Sequence, residues 1–356
     1  MKTALAPRHA ARIARYRPRR SVDGIAQGKL SSNETPLGPS PATIRAIAAS
    51  APEANRSAVG DARRRLLATE VGVETDRIVV TNGSDELCYL VAALFIRPAA
   101  PVVLSDPPYQ INEIASRLQD GELRFVPLRN GVHDLEAMAR AASDAAVLWL
   151  PNPHNPTGTA VEHDGLRWLL RRVPASCIVV LDEAYRCFVD RERRPDVHEL
   201  LADHANLLVQ RTLSKSYSLA GLRIGFAFGD REVVGAIDGV RPPFNVNSAA
   251  LAGAAQALRD RAWSNYNVAA VRRERERFAA SLQELGMTHW PSQGNFITVR
   301  PRDPARVRSL LADRGISVRD GEELGLGGWL RISIGSPPRM ALVRQVLRET
   351  EAADGG

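Results

Sequence analysis

Between residues 77 and 228 short apolar runs alternate with stretches of helical spacing, and this alternation constrains the fold more than any other feature of the chain. The runs cover residues 77–81, 102–106, 123–128, 146–150, 177–182, 207–211 and 223–228. They are rich in Val, Ile and Leu and often polar only at their carboxyl ends, as strands are when crossover helices bury both faces. Residues 86–95, 109–118 and 163–172 have the helical spacing such crossovers require. The pattern predicts an α/β fold, a mostly parallel central sheet with helices on both faces, whose ligand lies beyond the carboxyl ends of the strands. After about residue 245 the texture changes to long helices at 248–260 and 267–285, then strands at 295–299, 316–319 and 329–334 with helices at 304–314 and from 339. That segment predicts a smaller α+β domain. The expected division is an arm at 1–30, a large domain at 31–245, and linking helices with a small C-terminal domain at 246–356.

Charge narrows the partners. The chain has 47 Lys and Arg against 40 Asp and Glu. Residues 1–20 hold seven bases and no acid, so the remaining 336 residues carry 40 of each sign and no net charge. The body therefore has no basic footprint for nucleic acid. No apolar run reaches the 18 or so residues of a membrane span, and the arm lacks the apolar core of a secretory signal. Cys88, Cys177 and Cys187 show no CxxC spacing, which points to buried thiols in a reducing compartment and to no metal site. A cytoplasmic location is expected. The charged run at 272–277 is expected to be a solvated helix face.

Only three of the 47 basic residues are lysines, and Lys215 stands alone in the last 327 residues. An amine can deprotonate and form Schiff bases where a guanidinium cannot. Lys215 ends the run Arg211-Thr212-Leu213-Ser214-Lys215, with Arg223 eight residues on. Three more strand ends carry unusual residues. Asn82-Gly83-Ser84-Asp85-Glu86 opens a helix whose first amides would suit a phosphate. Pro151-Asn152-Pro153-His154-Asn155-Pro156 fixes its backbone with three prolines, as holding Asn155 in front of a ligand would require, and reads His154 as a turn residue. Asp182-Glu183-Ala184-Tyr185 puts a carboxylate at the end of a buried strand, where its charge is disfavoured without a cation. Taken singly, a tight turn, a helix cap or a packing tyrosine would explain each of these. GxxxxGK[ST] is absent, and so is GxGxxG after a strand, which argues against P-loop and dinucleotide sites.

Together the four strand ends ask for a ligand with a phosphate, an aldehyde, a phenolic oxygen and a ring nitrogen. Pyridoxal 5′-phosphate has all four. In these motifs, and in Ser32-Asn33-Glu34-Thr35-Pro36-Leu37-Gly38-Pro39 and Leu330-Arg331-Ile332-Ser333-Ile334-Gly335, the sequence resembles the fold-type I aminotransferases, and among them the histidinol-phosphate aminotransferases, over about residues 16–350. The resemblance implies that Lys215 condenses with the cofactor aldehyde and later carries the proton between substrate Cα and cofactor C4′. It implies that Asp182 keeps the ring nitrogen protonated, that Asn155 and Tyr185 bind the 3′-oxygen, and that Tyr109 stacks on the ring. The phosphate falls to the amides of Ser84 and Asp85, the hydroxyls of Thr212 and Ser214, and Arg223. Arg331 clamps the substrate anion, with Arg319 and Tyr16 assisting when that anion is a phosphate. A small-molecule amino donor and acceptor, and a homodimer, follow from the same resemblance.

Departures from the family pattern bear on substrate. Arg56-Ser57-Ala58 stands where the family usually has Arg-Tyr-Pro, Asn112 replaces a frequent Tyr, His154 a frequent Asn, and Ser218 a frequent Gly. The resemblance favours transamination. A decarboxylase, oxidase or lyase on the same cofactor remains the alternative, and a regulator that borrowed the fold is disfavoured because only about 30 residues precede the family signature.

Overall fold

The computed structural model describes Ile13, residues 28–58 and residues 61–352. Its strands, in chain order, are β1 (Lys29–Leu30), β2 (Ile78–Thr81), β3 (Pro101–Asp106), β4 (Glu122–Pro127), β5 (Val147–Pro151), β6 (Ile178–Asp182), β7 (Leu207–Thr212), β8 (Gly225–Gly229), β9 (Thr288–His289), β10 (Phe296–Arg300), β11 (Ser317–Asp320) and β12 (Leu330–Ser333). Among the described residues these form two sheets, one of order β2-β8-β7-β6-β5-β3-β4 and one of order β1-β11-β12-β10-β9. In the larger sheet β8 runs antiparallel to both neighbours, and the other pairings are parallel. Six carboxyl ends therefore share one edge of the sheet, and β8 begins there.

The seven expected strands of this sheet all form, with ends displaced by at most two residues. Their side chains alternate between two buried layers. Leu148, Leu150, Val179, Leu181 and Val209 enter one core, while Val147, Trp149, Ile178, Val180 and Leu208 enter the other. A third core, with Phe278, Phe296, Ile332 and Val343, lies on the smaller sheet. The strands β1 and β9, two residues each, carry no readable period. The helices Pro41–Ala49 and Arg231–Val240 are additional to those expected, and Ser40 and Asp230 cap them through their side chains.

Two expectations need correction. The helix expected from 267 spans Arg261–Glu284, because the Asp260 side chain accepts from the amide of Trp263 and starts it earlier. The charged run within it is not wholly solvated. Glu274 is buried and paired with Arg344 and Arg277, and the buried Arg275 donates to the carbonyls of Phe188 and Gly294.

His154 sits in its turn but is fully buried, Nε2 at 3.0 Å from Ser105 Oγ and Nδ1 at 2.9 Å from Thr157 Oγ1. Its ring meets that of buried His133 edge-on at 4.8 Å. Burial lowers His133 to about 4 and, with His133 beside it, holds His154 well below 6.5, so both rings are neutral near pH 7. The unfolded chain takes up a proton at His133 near pH 6.5 and the folded chain does not until about 4, so the stability held by the neutral ring is complete above 6.5 and is lost as pH falls. Urea unfolding at pH 7 and 4.5 should show that His133→Gln reduces the acid-induced loss of stability by roughly 2 kcal/mol. An unchanged loss would contradict the assignment.

Candidate active site

The shared strand edge opens into a cavity of about 290 Å³ between the two sheets. All twelve site residues expected from the sequence and lying among the described residues line it; Tyr16 lies outside them. They come from the segments after β2 (Ser84, Asp85), β3 (Tyr109), β5 (Asn155), β6 (Tyr185) and β7 (Ser214, Lys215), with Asp182 at the end of β6 and Thr212 at the end of β7. Arg223 precedes β8, and Arg319 and Arg331 come from the smaller sheet.

One end of the cavity is built for an anion. Helix Ser84–Phe95 starts at Gly83, whose lack of a side chain leaves the first amides without a cap from that position. A Cβ on Gly83 would stand 2.6 Å from Arg223 Nη2, and one on Gly225 would stand 2.6 Å from the Ser84 nitrogen, so only glycine lets strand, helix start and guanidinium meet. Thr212 Oγ1 donates to Ser214 Oγ at 2.8 Å beside them. Asp85 does more than lend its amide. Its carboxylate accepts from Tyr109 Oη at 2.9 Å and from Arg223 Nη2 at 2.9 Å, holding both side chains in place.

The other end pairs two groups whose charged forms are both disfavoured. Asp182 is 8% exposed, and burial chiefly raises it to about 7. Lys215 is lowered to about 8, by burial first and then by Arg331. A carboxylate denied water favours a cation beside it, and an amine near 8 is available as a nucleophile at mild pH. Lys215 Nζ donates to Ser32 O at 3.1 Å and stands 5.8 Å from the Tyr185 ring.

Residues 31–35 form a strap across the cavity. Asn33, buried and left-handed at φ 54°, donates through Nδ2 to Tyr185 Oη at 2.9 Å, while its Oδ1 accepts from Ser333 Oγ. The sequence motif gives Asn33 no role, and the tolerance of asparagine for the left-handed region is its one local signal. Thr35 Oγ1 donates to Lys215 O and contacts Ser218 Oγ at 2.7 Å. Ser218 is itself left-handed at φ 60°, which is why glycine would suit it, and its hydroxyl also accepts from Asn267 Nδ2. From the small sheet, Arg319 and Arg331 are directly opposed residues of β11 and β12. Arg331 Nη1 donates to Asn155 Oδ1 at 2.6 Å and Nη2 to Ser31 O at 2.8 Å.

The departures are not equivalent. Asn112 is buried in the helix Gln110–Leu118, accepting from Cys88 Sγ at 3.2 Å, and is absent from the cavity wall. Its expected bearing on substrate is therefore corrected. Ser57 is exposed. Arg211 turns away from the cavity to pair with buried Glu183 through Nη2 at 2.7 Å.

With Lys215 near 8, the rate at which a small aldehyde adds to it in the cofactor-free protein should rise with pH and level off above a midpoint near 8. A midpoint near the ordinary lysine value would contradict the desolvated amine.

Comparison with known proteins identifies the family. The family model described as aminotransferase class I and II matches residues 26–347. Histidinol-phosphate aminotransferase 1 of Dechloromonas aromatica is 35% identical, over 95% of this chain and 96% of its own length. The histidinol-phosphate aminotransferase of Geobacillus thermodenitrificans is 38% identical, over 90% and 91%. Among solved structures, histidinol-phosphate aminotransferase from Sinorhizobium meliloti in complex with pyridoxal 5′-phosphate superposes with a TM-score of 0.85 at 27% identity, covering 92% of this chain and 91% of that one. With a family model spanning most of its length and relatives of this identity, the chain belongs to the class I and II aminotransferases.

Proposed function

We propose that the protein is a cytoplasmic, homodimeric, pyridoxal-phosphate-dependent transaminase of amino-acid biosynthesis that acts on histidinol phosphate or a closely related phosphorylated amine. The observation that carries the substrate class is the pair Arg319 and Arg331, opposed across β11 and β12 and both lining the cavity that contains Lys215. Two planar guanidiniums suit a dianionic phosphate better than a carboxylate, since each can donate two hydrogen bonds. The names of the relatives agree with that class.

The donor set fits the cofactor. A helix start with amides lacking a side-chain cap, two hydroxyls and Arg223 suit a phosphate, and a buried carboxylate suits a ring cation. When bound, pyridoxal phosphate supplies a carbonyl for the amine and a ring that takes up electrons as Cα loses its proton. Asp182 holds a proton at the ring nitrogen. Lys215 Nζ moves the proton at substrate Cα. Asn155, its Oδ1 committed to Arg331, presents Nδ2 to the ring 3′-oxygen alongside Tyr185 Oη. Tyr109 covers the ring face, fixed there by Asp85. Arg331, Arg319 and Tyr16 take the substrate anion and so set the distance from anion to reacting amine.

The arm at 1–30, the large domain at 31–245 and the small domain at 246–356 would then each contribute to one site. A second copy would cover Ile44 and Tyr266, both more than half exposed on neighbouring segments linked by the Trp263 Nε1 to Gly38 O bond. No helix among the described residues is long and apolar enough to cross a membrane.

Arg319→Ala should lower kcat/KM for the phosphorylated amine by about 2 kcal/mol, close to thirtyfold, and spare the unphosphorylated amine. Equal kcat/KM for the two amines in the unaltered enzyme would overturn the substrate class. Transamination, as against decarboxylation, elimination or oxidation, should leave the cofactor as its pyridoxamine form after one half-reaction with the amine. Evolution of carbon dioxide or consumption of oxygen would overturn it.

A further inference from the structure

The turn that carries Lys215 closes on a strained residue. The amide of Ser218 donates to the Lys215 carbonyl at 2.9 Å, and Ser218 lies left-handed at φ 60°, where a serine is strained and a glycine is not. Its hydroxyl stands between two groups whose donor sense is fixed. Thr35 Oγ1, on the strap, has one proton and gives it to Lys215 O at 3.1 Å. The proton in the 2.7 Å contact between Thr35 Oγ1 and Ser218 Oγ therefore belongs to Ser218. Ser218 Oγ in turn accepts at 2.7 Å from Nδ2 of the fully buried Asn267, in the helix Arg261–Glu284. The result is one directed chain, from Asn267 through Ser218 and Thr35 to the Lys215 carbonyl. Each hydroxyl in it donates once and accepts once, and each bond polarises the next. A glycine at 218 would relieve the backbone and break the chain in its middle.

We propose that Ser218 is a positioning residue that, through Thr35, locks the strap of residues 31–35 onto the turn bearing Lys215. The strap meets this lysine twice, with Thr35 Oγ1 on its carbonyl and Ser32 O on its Nζ at 3.1 Å. Between those points the Asn33 amide donates to Ser333 Oγ at 2.8 Å and Asn33 Nδ2 to Tyr185 Oη, so the small sheet and the cofactor side already hold the middle of the strap. Fixing Thr35 fixes the remaining end, and with it the span that lies over the amine. Left-handed strain in a serine persists where surrounding contacts over-determine it, and here the two bonds of the Ser218 hydroxyl supply them. The proposal deepens the reading of Lys215 as the group that moves the proton at substrate Cα, and rests on it.

The test compares Ser218→Gly, Ser218→Ala and Thr35→Val in the pyridoxal-phosphate-loaded enzyme. Amide hydrogen exchange of the peptide covering the strap, read by mass spectrometry, should be about fivefold faster in both serine variants, the factor carried by one ordinary hydrogen bond. Adding Ser218→Gly to Thr35→Val should quicken it no further, because both changes remove the same chain. Ser218→Gly, free of the strain, should unfold at a higher urea concentration than Ser218→Ala, which keeps the strain without the hydroxyl. A serine kept for stability alone would instead give strap exchange that follows the unfolding midpoint. The half-reaction with the amine, followed in a single turnover, should be about fivefold slower in both serine variants and show a larger isotope effect when the reacting carbon carries deuterium. Strap exchange that is unchanged in the serine variants overturns the proposal, as does an unchanged half-reaction rate. If the strap loosens as expected while no amine gives up its nitrogen even to the unaltered enzyme, the lock stands and the transaminase reading falls. If transamination proceeds while strap exchange is unchanged in the variants, the lock falls and that reading stands.

Discussion

Removal of the Asp182 carboxylate from water at the end of β6 is the constraint around which the site is arranged. A buried carboxylate raised to about 7 is poorly matched to an apolar sheet edge, and a ring cation beside it relieves that mismatch. The same burial acts in the opposite sense on Lys215, which is brought down to about 8. One dry cavity thus prepares an acceptor for a cation and an amine ready to react. The parallel sheet makes this possible because six strands deliver their carboxyl ends to a single edge, while the reversed β8 places Arg223 at that edge from the other direction.

The second sheet brings two guanidiniums and a strap of chain to the cavity. β11 and β12 oppose Arg319 and Arg331 in register, and β1, immediately before the strap of residues 31–35, pairs with β11. The strap touches both sides, since Asn33 binds Tyr185 and Ser333, and Thr35 binds Lys215 O and Ser218. A shift of the small sheet would therefore be felt at Lys215 through hydrogen bonds.

What could be read from the sequence follows from which interactions are local. Strands buried on both faces announce themselves as apolar runs, so β2 to β8 were legible to within two residues, whereas the two residues of β1 and β9 cannot show a period. The convergence of Arg319 and Arg331 was legible because each sits at a fixed place on a recognisable strand. Asn112 was misjudged because a helix has an inward face, and at this position that face meets Cys88 and the sheet instead of the cavity. The contact of Asn33 with Ser333 spans 300 residues, and Glu323 is tied to Gln110 across 213; no local pattern encodes such meetings. Asp85 shows a third kind of gap, because the motif pointed to its amide while its carboxylate organises Tyr109 and Arg223.

Lys215, alone among three lysines, is the residue proposed to hold the carbonyl of the cofactor. Borohydride reduction of the loaded protein followed by peptide mapping tests it most directly. One cofactor-bearing peptide is expected, the one containing Lys215, with loss of the visible absorption on reduction. Label on Lys29, which is engaged with Glu34 at 2.7 Å, or on Lys2, would contradict it, as would a protein that takes up no cofactor.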